Sequence, residues 1–589
     1  MKKVIGIISL LLSVTLATAN PIDFDKAFKE SANIEKQIKR TSFPDRTYLI
    51  TDFGAKPDTP DEPCHEAINQ AIVTCSLNGG GTVVVPKGTF HTGPVTLKSN
   101  VNFHVEEGAV LKFSTDQSLY FPAVITRWEG LDCYNARPLI YAYGETNIAI
   151  TGKGTIDGQG SNETWWSMCG APRYGWKEGM VAQRNGGRER LLMYGETSTP
   201  IYKRIMKPED GMRPQLINLY SCNTVLIEDV TLLNSPFWVI HPLFCESLIV
   251  RGVHVFNRGP NGDGCDPESC KNVLIENCTF DTGDDCIAIK SGRNQDGRKW
   301  NIPSENIIVR GCFMKNGHGG VVIGSEISGG YRNLFVENCR MDSPDLDRVI
   351  RIKTSTCRGG LIENVFVRNV TVGQCREAVL RINLQYENRE KCNRGYAPTV
   401  RNVHLKNVTC EKSKLGVLII GLDDDKHVYN VSVEDSRFNN VEKGGNQIKG
   451  AKDIDLGILF EGFKDYSRIM GTVVLVFIYT FLWSLLLIIP GIIKHYSYAM
   501  TPYILKEEPE MKNNAAIEKS MVMMDGNKMK LFMLDLSFIG WAILCLFTFG
   551  IGFFFLQPYM QASHAAFYED LKAQQGGNVE VNVEVNVEI

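Results

Sequence analysis

Between residues 223 and 440 one short alternation of apolar and polar positions returns with drift. Its copies read TVLIEDVTL, SLIVRGVHV, NVLIENCTF, NIIVRGCFM, NLFVENCRM, NVFVRNVTV, NVHLKNVTC and NVSVEDSRF. The third apolar residue of each copy gives the markers Ile227, Val250, Ile275, Val309, Val336, Val367, Leu405 and Val433, at steps between 23 and 38 residues. An earlier copy, NIAITGKGTI, puts Ile150 in the same place. Period-two alternation with Asn or Gly at the bends predicts short β-strands. A unit this short leaves no room for crossover helices, so successive coils must stack and share one apolar column, as in a parallel β-helix. A sandwich would need antiparallel hairpins, and regular two-residue Asn-Gly links are missing.

A second strand aligns in four of the coils: CIAIKSG, GVVIGSE, VIRIKTS and VLRINLQ. Alternation turns Ile287/Ile289, Val321/Ile323, Ile350/Ile352 and Leu380/Ile382 inward. Ala288/Lys290, Val322/Gly324, Arg351/Lys353 and Arg381/Asn383 then face outward. Rungs are spaced by about 4.8 Å, which places Lys290 and Lys353 roughly 10 Å apart on one external face. Cys278, Cys312 and Cys339 share a repeat position with Val230, Val253, Val370 and Val408, and so read as small core hydrophobes. Cys265 and Cys270 are close enough in sequence to pair.

The alternation stops within GAKDIDLGILFEGFKDY, residues 450–466, with no Pro/Gly/Ser linker. Beyond it, 469–489 is uncharged and 531–556 is strongly apolar, and each is long enough to span about 30 Å of hydrocarbon. The lysines between them, Lys494 to Lys530, fit a cytoplasmic side. At the other end, two lysines, a short apolar run and Ala17-Thr18-Ala19 form a signal-peptide pattern with cleavage expected after Ala19. The closing NVEVNVEVNVEI is low-complexity.

Composition changes this picture little. A length of 589 residues calls for more than one domain. A net charge of −3 without a Lys/Arg-rich block gives no electrostatic case for nucleic acid.

The candidate chemistry lies in two acidic stretches, GPNGDGCDPESC with Asp263 and Asp266, and FDTGDDCIAIKSG with Asp281, Asp284 and Asp285. Asp263 and Asp285 are 22 residues apart, about one coil, so their carboxylates should lie about 5–9 Å apart, within the range glycosidases use. Repulsion between adjacent Asp284 and Asp285 predicts a raised pKa on one of them. Any one of these aspartates taken alone reads as a turn cap; their joint placement beside a basic strand does not. His318 falls on the next rung, and the Arg351/Lys353 pair suits a substrate carboxylate.

Asn261-Gly262-Asp263-Gly264, Gly283-Asp284-Asp285, Gly317-His318-Gly319 and Arg351-Ile352-Lys353 resemble, in order, the four signatures of glycoside hydrolase family 28, the polygalacturonases and related pectin hydrolases. TDFGAKPD, GKGTIDGQG and SPFWVIHP extend the resemblance over residues 45 to 455. Gly262 stands where that signature usually has Thr, which should loosen the turn. The resemblance implies inverting hydrolysis of galacturonan in pectin, without cofactor or metal. Asp284 would be the general acid, Asp263 and Asp285 would activate water, and His318 would support the acid's protonation. Asn261, Asp266, Lys290, Arg351 and Lys353 would bind substrate. The wording DPESC and DRVIRIKTS is similar to exo-acting bacterial members, with the insertions 166–200 and 295–303 walling off one end of a groove. Residues 456–572 resemble the domain-of-unknown-function family 975 of bacterial integral membrane proteins, on FLWSLLLIIPGIIKHYSYAMTPYIL, GNKMKLFMLDLSFIGWAIL and QPYMQASHAAFYEDL.

The expected organisation is therefore a signal peptide (1–19), a lead-in (20–50) and an all-β, right-handed parallel β-helix (51–455). An α-helical membrane segment (456–572) with two spans and a tail (573–589) follow. The expected protein is exported to the periplasm or cell exterior, acts on cell-wall pectin, and is attached to a membrane through its C-terminal spans. A calcium-dependent pectate lyase, a non-catalytic pectin-binding helix and a joined reading frame remain as alternatives.

Overall fold

The computed structural model describes residues 23–441, 445–456, 466–486, 488–508, 511–546 and 552–576. The expected signal peptide lies outside them. The chain divides into two compact units, residues 1–458 and 459–589.

The first unit is a stack of parallel strands, as a β-helix requires. The marker residues pair in unbroken register. Ile150 faces Ile227, which faces Val250, and the column continues through Ile275, Val309, Val336, Val367, Leu405 and Val433. It extends further than the repeat alone shows, from Val83 and Phe103 at one end to Leu456 at the other. The second strands stack likewise. Ile287 pairs with Val321, Val321 with Ile350, and Ile350 with Leu380, all in the buried core. The helix His65–Leu77 adds Ile68, Ile72 and Cys75 to the column's first rungs.

Polar groups follow the same register. Asn272, Asn306, Asn333, Asn364, Asn402 and Asn430 stand one above another at positive φ. From Asn306 onward, each side-chain amide donates to the carbonyl oxygen of the asparagine one rung back, at 2.7–3.0 Å. Asparagine tolerates the left-handed conformation, and its amide supplies both the donor and the acceptor that a ladder needs. On the outer face, Phe24 and Phe28 of the helix Phe24–Gln37 cover Ile249, Leu274, Ile308 and Phe335.

Cys278, Cys312 and Cys339 are buried in the core column as expected. Cys265 and Cys270 are both free, and the disulfide joins Cys357 to Cys392. Cys265 heads a rung whose backbone pairs with Ile240 and Ile287, which sends its side chain into the core rather than along the chain towards Cys270.

The second unit is helical, with a core of Met500, Ile504, Leu505, Ala516, Met523, Met524, Leu531, Tyr568 and Leu571. The two expected membrane spans are corrected here: among the described residues no helix is long and apolar enough to cross a membrane. The described residues of the run 469–489 fall on the helices Tyr466–Leu486 and Ile488–Tyr498. Those of the run 531–556 fall on Lys528–Ser537, Ile539–Leu546 and the start of Phe553–Gly576. Within it the Asp535 carboxylate accepts from Tyr496 Oη at 2.9 Å and meets His564 Nε2 at 2.6 Å, polar contacts that a uniform apolar run does not foretell.

Replacing a mid-ladder asparagine tests the stack. Asn333→Ala removes two amide bonds and puts a Cβ-bearing residue without a local hydrogen bond at φ +64°, and should cost about 2–3 kcal/mol. Asn333→Gly should cost less, since only the amide bonds are lost. The order of the two thermal midpoints checks this.

Candidate active site

The site is built on one edge of the helix, where each coil turns from its first strand into its second. The turn before Cys265 carries Asp263, with Asp266 directly after Cys265, and the turn one rung on carries Asp284 and Asp285. Cys265 pairs with Ile287, so the 22-residue spacing is one rung, as the sequence implies. Gly264 N–H donates to Asp285 O at 3.0 Å, and His318 N–H on the following rung donates to Asp284 O at 3.0 Å.

Carboxylate oxygens of Asp263, Asp284 and Asp285 lie within 4.8 Å of one another, closer than the expected separation. Each has a different partner. Asp285 is fully buried and holds Arg351 Nη1 at 3.1 Å and Lys353 Nζ at 2.6 Å. Asp284 is partly exposed and meets His318 Nδ1 at 2.9 Å and its neighbour's backbone N–H at 3.0 Å. Asp263 and Asp266 lie 3.7 and 3.6 Å from Lys290 Nζ, which also reaches Glu326 at 3.2 Å and sits 4.4 Å over the Trp238 ring. Both Asp266 carboxylate oxygens are buried without a hydrogen-bond partner.

These partners set the charges. Burial pushes the Asp284 carboxyl up, but the His318 hydrogen bond and charge, with Lys353 and Arg351, bring it well below the usual range. Asp285 is likewise lowered: burial opposes ionisation, and Lys353 and Arg351 more than offset it. Asp263 goes the other way. Burial and the charges of Asp284 and Asp266 raise it beyond what Lys290 can offset. Asp266 is also raised, by burial and by Asp285 and Asp284, against Lys290. Asp284 raises His318, through their hydrogen bond and its charge. The expectation of a raised pKa on Asp284 or Asp285 is thus corrected. Their mutual repulsion is outweighed by two cations and a histidine, and the raised groups are on the neighbouring rung.

Arg351 and Lys353 face outward as alternation requires, yet both are largely buried against Asp285 and under Tyr386, whose ring lies 5.5 and 5.3 Å from their charged ends. Asn261 lines the cavity, and its Oδ1 accepts from Arg213 Nη2 at 2.7 Å. Asp281, in the same acidic run, is drawn away to Arg258 and Asn316. Gly262 does not loosen its turn. A Cβ there would come within 2.7–2.8 Å of Gly259 O and of the Asn257 side chain and backbone, so the turn is closed to larger residues.

The cavity over these groups holds about 510 Å³. Its walls include Arg173, Tyr174, Arg184 and Arg188 from the first insertion, with Glu326, Tyr386 and Glu387 opposite. Arg293 ties the walls together by pairing with Glu129, Glu326, Glu387 and Glu390. Trp238, Glu326, Arg293 and Tyr386 escaped the sequence reading. Only the SPFWVIHP stretch held a signal, for Trp238; the others come from distant coils.

Residues 204–453 match the model of glycosyl hydrolases family 28, and residues 454–575 match that of a protein of unknown function, DUF975. A hyperthermoactive exopolygalacturonase from Thermotoga maritima is 40% identical in sequence, with a TM-score of 0.69, over 73% of this chain and 96% of that one. The chain belongs to glycosyl hydrolases family 28. A probable polygalacturonase of Vitis vinifera is 28% identical over 64% of this chain and 71% of its own length. The exo-poly-alpha-D-galacturonosidase of Dickeya chrysanthemi is 27% identical over 61% and 62%. The first unit is thus a family 28 glycoside hydrolase, and the cavity described above is where its signature residues converge.

Opposite charge states predict opposite stability effects. Asp285 has a folded pKa below its unfolded value, so its stabilisation is present above the ordinary carboxylate range, about 4, and is lost as pH falls through the folded value. Asp263 has a raised folded pKa. Its contribution is present below that range and is lost as pH rises through the folded value. At neutral pH, Asp285→Asn should cost about 3–5 kcal/mol by stranding two buried cations, whereas Asp263→Asn should raise the thermal midpoint. Melting curves from pH 4 to 8 check both signs, and the Asp263→Asn gain should shrink towards acid pH.

Proposed function

We propose that the protein is an exported, exo-acting hydrolase of the α-1,4-galacturonosyl linkages of pectin. The observation that carries the reading is the convergence of three carboxylates with Arg351 and Lys353, of which Asp263, Asp284 and Lys353 line a walled cavity. Acid/base cleavage of a glycosidic bond needs one carboxyl to protonate the leaving oxygen and another to activate water. A uronate substrate adds its own carboxylate, for which Arg351 and Lys353 are the matching cations.

The roles follow from competition for those cations. Arg351 and Lys353 help to hold Asp284 ionised. A galacturonate carboxylate that engages them weakens that hold, so the Asp284 pKa rises and it takes up the proton it then gives to the leaving oxygen. Asp263 passes its proton to Asp284 as the Asp284 pKa rises, and then, with Asp285, orients the attacking water and accepts its proton, while His318 fixes Asp284 through Nδ1. Asn261, Asp266 and Lys290 shape the sugar-binding floor. The three carboxylates titrate as one coupled set, so the shared proton belongs to the cluster rather than to one residue. The 4.8 Å figure is between nearest oxygens and so sits below the carboxyl-to-carboxyl distances from which stereochemistry is read. The inverting outcome is therefore tested directly.

Exo action is supported by the wall of residues from the first insertion and by the exo-acting relatives. Export is supported by the N-terminal pattern and by the Cys357–Cys392 bond, which fits an oxidising compartment. A lyase with a bound calcium ion is disfavoured because Lys290, Arg351 and Lys353 already neutralise the carboxylates such an ion would use.

Incubation with polygalacturonate should release monogalacturonate with new reducing ends and no ultraviolet absorbance. Proton NMR of the first product should show the β-anomer. Asp284→Asn and Asp263→Asn should each lower kcat at least about 100-fold. Full activity in both variants would remove the assignment, and unsaturated products would replace hydrolysis with elimination.

A further inference from the structure

The turns that carry the catalytic groups do not end with them. His318 N–H bonds Asp284 O, Asp347 N–H bonds Gly317 O, Glu377 N–H bonds Asp347 O, and Leu415 N–H bonds Glu377 O. This backbone ladder carries the same edge of the helix three rungs past His318, about 14 Å at 4.8 Å per rung. The side chains it presents are basic: Arg348 on the first rung, Arg376 on the second, and Lys412 and Lys414 on the third. Together they line a groove of about 640 Å³. Arg348 Nη1 also donates to His318 O at 3.3 Å, so the groove begins where the catalytic site stops.

Its charges are unevenly matched. Asp347 pairs with Arg348 and Arg376, and Glu377 pairs with Arg348 and Arg381. Asp345 is the further carboxylate on the first of these turns and is exposed. Lys412 and Lys414 have no anionic partner among the described residues. Arg381 stacks in register directly beyond Arg351, and its Nε is buried without an acceptor. Like charges one rung apart on a rigid sheet repel unless an anion lies between or beside them.

We infer that this edge is a track for the rest of the polyuronate chain, with Lys412 and Lys414 seating galacturonate carboxylates beyond the bond being cleaved. The inference rests on the galacturonan reading above and adds the direction of the chain. The first insertion walls the cavity, and the basic turns lead out of it on the later coils. A polymer with one carboxylate per sugar is the ligand whose charge repeats along such a track, whereas a single uronate would leave most of it unused. Exposed ion pairs of this kind are individually weak, so the track acts through number and is screened by salt.

The test compares long and short substrates. In the Lys412→Ala/Lys414→Ala chain, the ratio of kcat/KM on polygalacturonate to that on digalacturonate should fall roughly three- to tenfold at low salt, through KM. Added salt should erase the difference from wild type, and Lys412→Arg/Lys414→Arg should restore the ratio. A wild-type ratio in the alanine variant, or an equal fall on both substrates, overturns the track. Should the wild-type chain cleave neither substrate, the functional reading fails by itself. Calorimetric titration of polygalacturonate into Asp284→Asn chains, with and without the two lysine changes, still decides the track: weaker binding without the lysines supports it, and equal binding overturns it.

Discussion

The stack of apolar residues running from Val83 to Leu456 is the constraint on which everything else depends. Each coil must deliver one residue to that column, so insertions are expelled to the turns and cannot shift the strands. Steps of 23 to 38 residues still give a continuous ladder. A slip of one residue would turn every side chain of a coil to the wrong face, and the column's burial penalises it. Once register is fixed, groups at equivalent turn positions are held about one rung apart, whatever their chemistry.

That geometry explains how so many charges share a small buried volume. Four aspartates, Glu326, two lysines and Arg351 lie within a few rungs, most of them nearly inaccessible to water. Isolated, each would be strongly disfavoured, but here a cation stands beside nearly every anion. The pairing is deliberately incomplete in one place: the carboxylate oxygens of Asp266 lack hydrogen bonds, and Asp263 leans on a lysine shared by three anions. The site is consequently poised rather than neutralised. On the function proposed above, a uronate carboxylate would compete for Arg351 and Lys353, the cations that also hold Asp284 and Asp285 ionised, and so couple binding to protonation.

How far this was legible in the sequence depends on the distance over which each interaction acts. The marker residues, the second-strand register and the meeting of Asp263, Asp284, Asp285 and His318 are properties of a repeat, and a repeat declares itself locally. Trp238, Arg293, Glu326 and Tyr386 come from coils up to about 150 residues apart and obey no period. The sign of the shift at Asp284 and Asp285 is set over the same distances. Repulsion between adjacent Asp284 and Asp285 is visible in sequence, while the Asp285 contacts with Arg351 and Lys353 span 66 and 68 residues. The disulfide follows suit: Cys265 and Cys270 are sequence neighbours held in the core, and Cys357 finds Cys392 across a loop of 35 residues.

The same logic bears on where the two families meet. The match to the second family begins at residue 454, inside the strand Lys452–Leu456. That strand pairs with Val428–Glu434 and sets Ile454 and Leu456 against the core, so it is the last described rung of the hydrolase's stack. The compact units divide only after Ile458. A strand at the end of a stack needs alternation and a few residues, which KDIDL supplies regardless of ancestry. A chain cut at the family boundary would leave the neighbouring strand's backbone groups and part of the apolar column open to water, an unpaired edge that invites association. Among the described residues, Leu456 is the last to extend the column, two residues past the start of the second family's match.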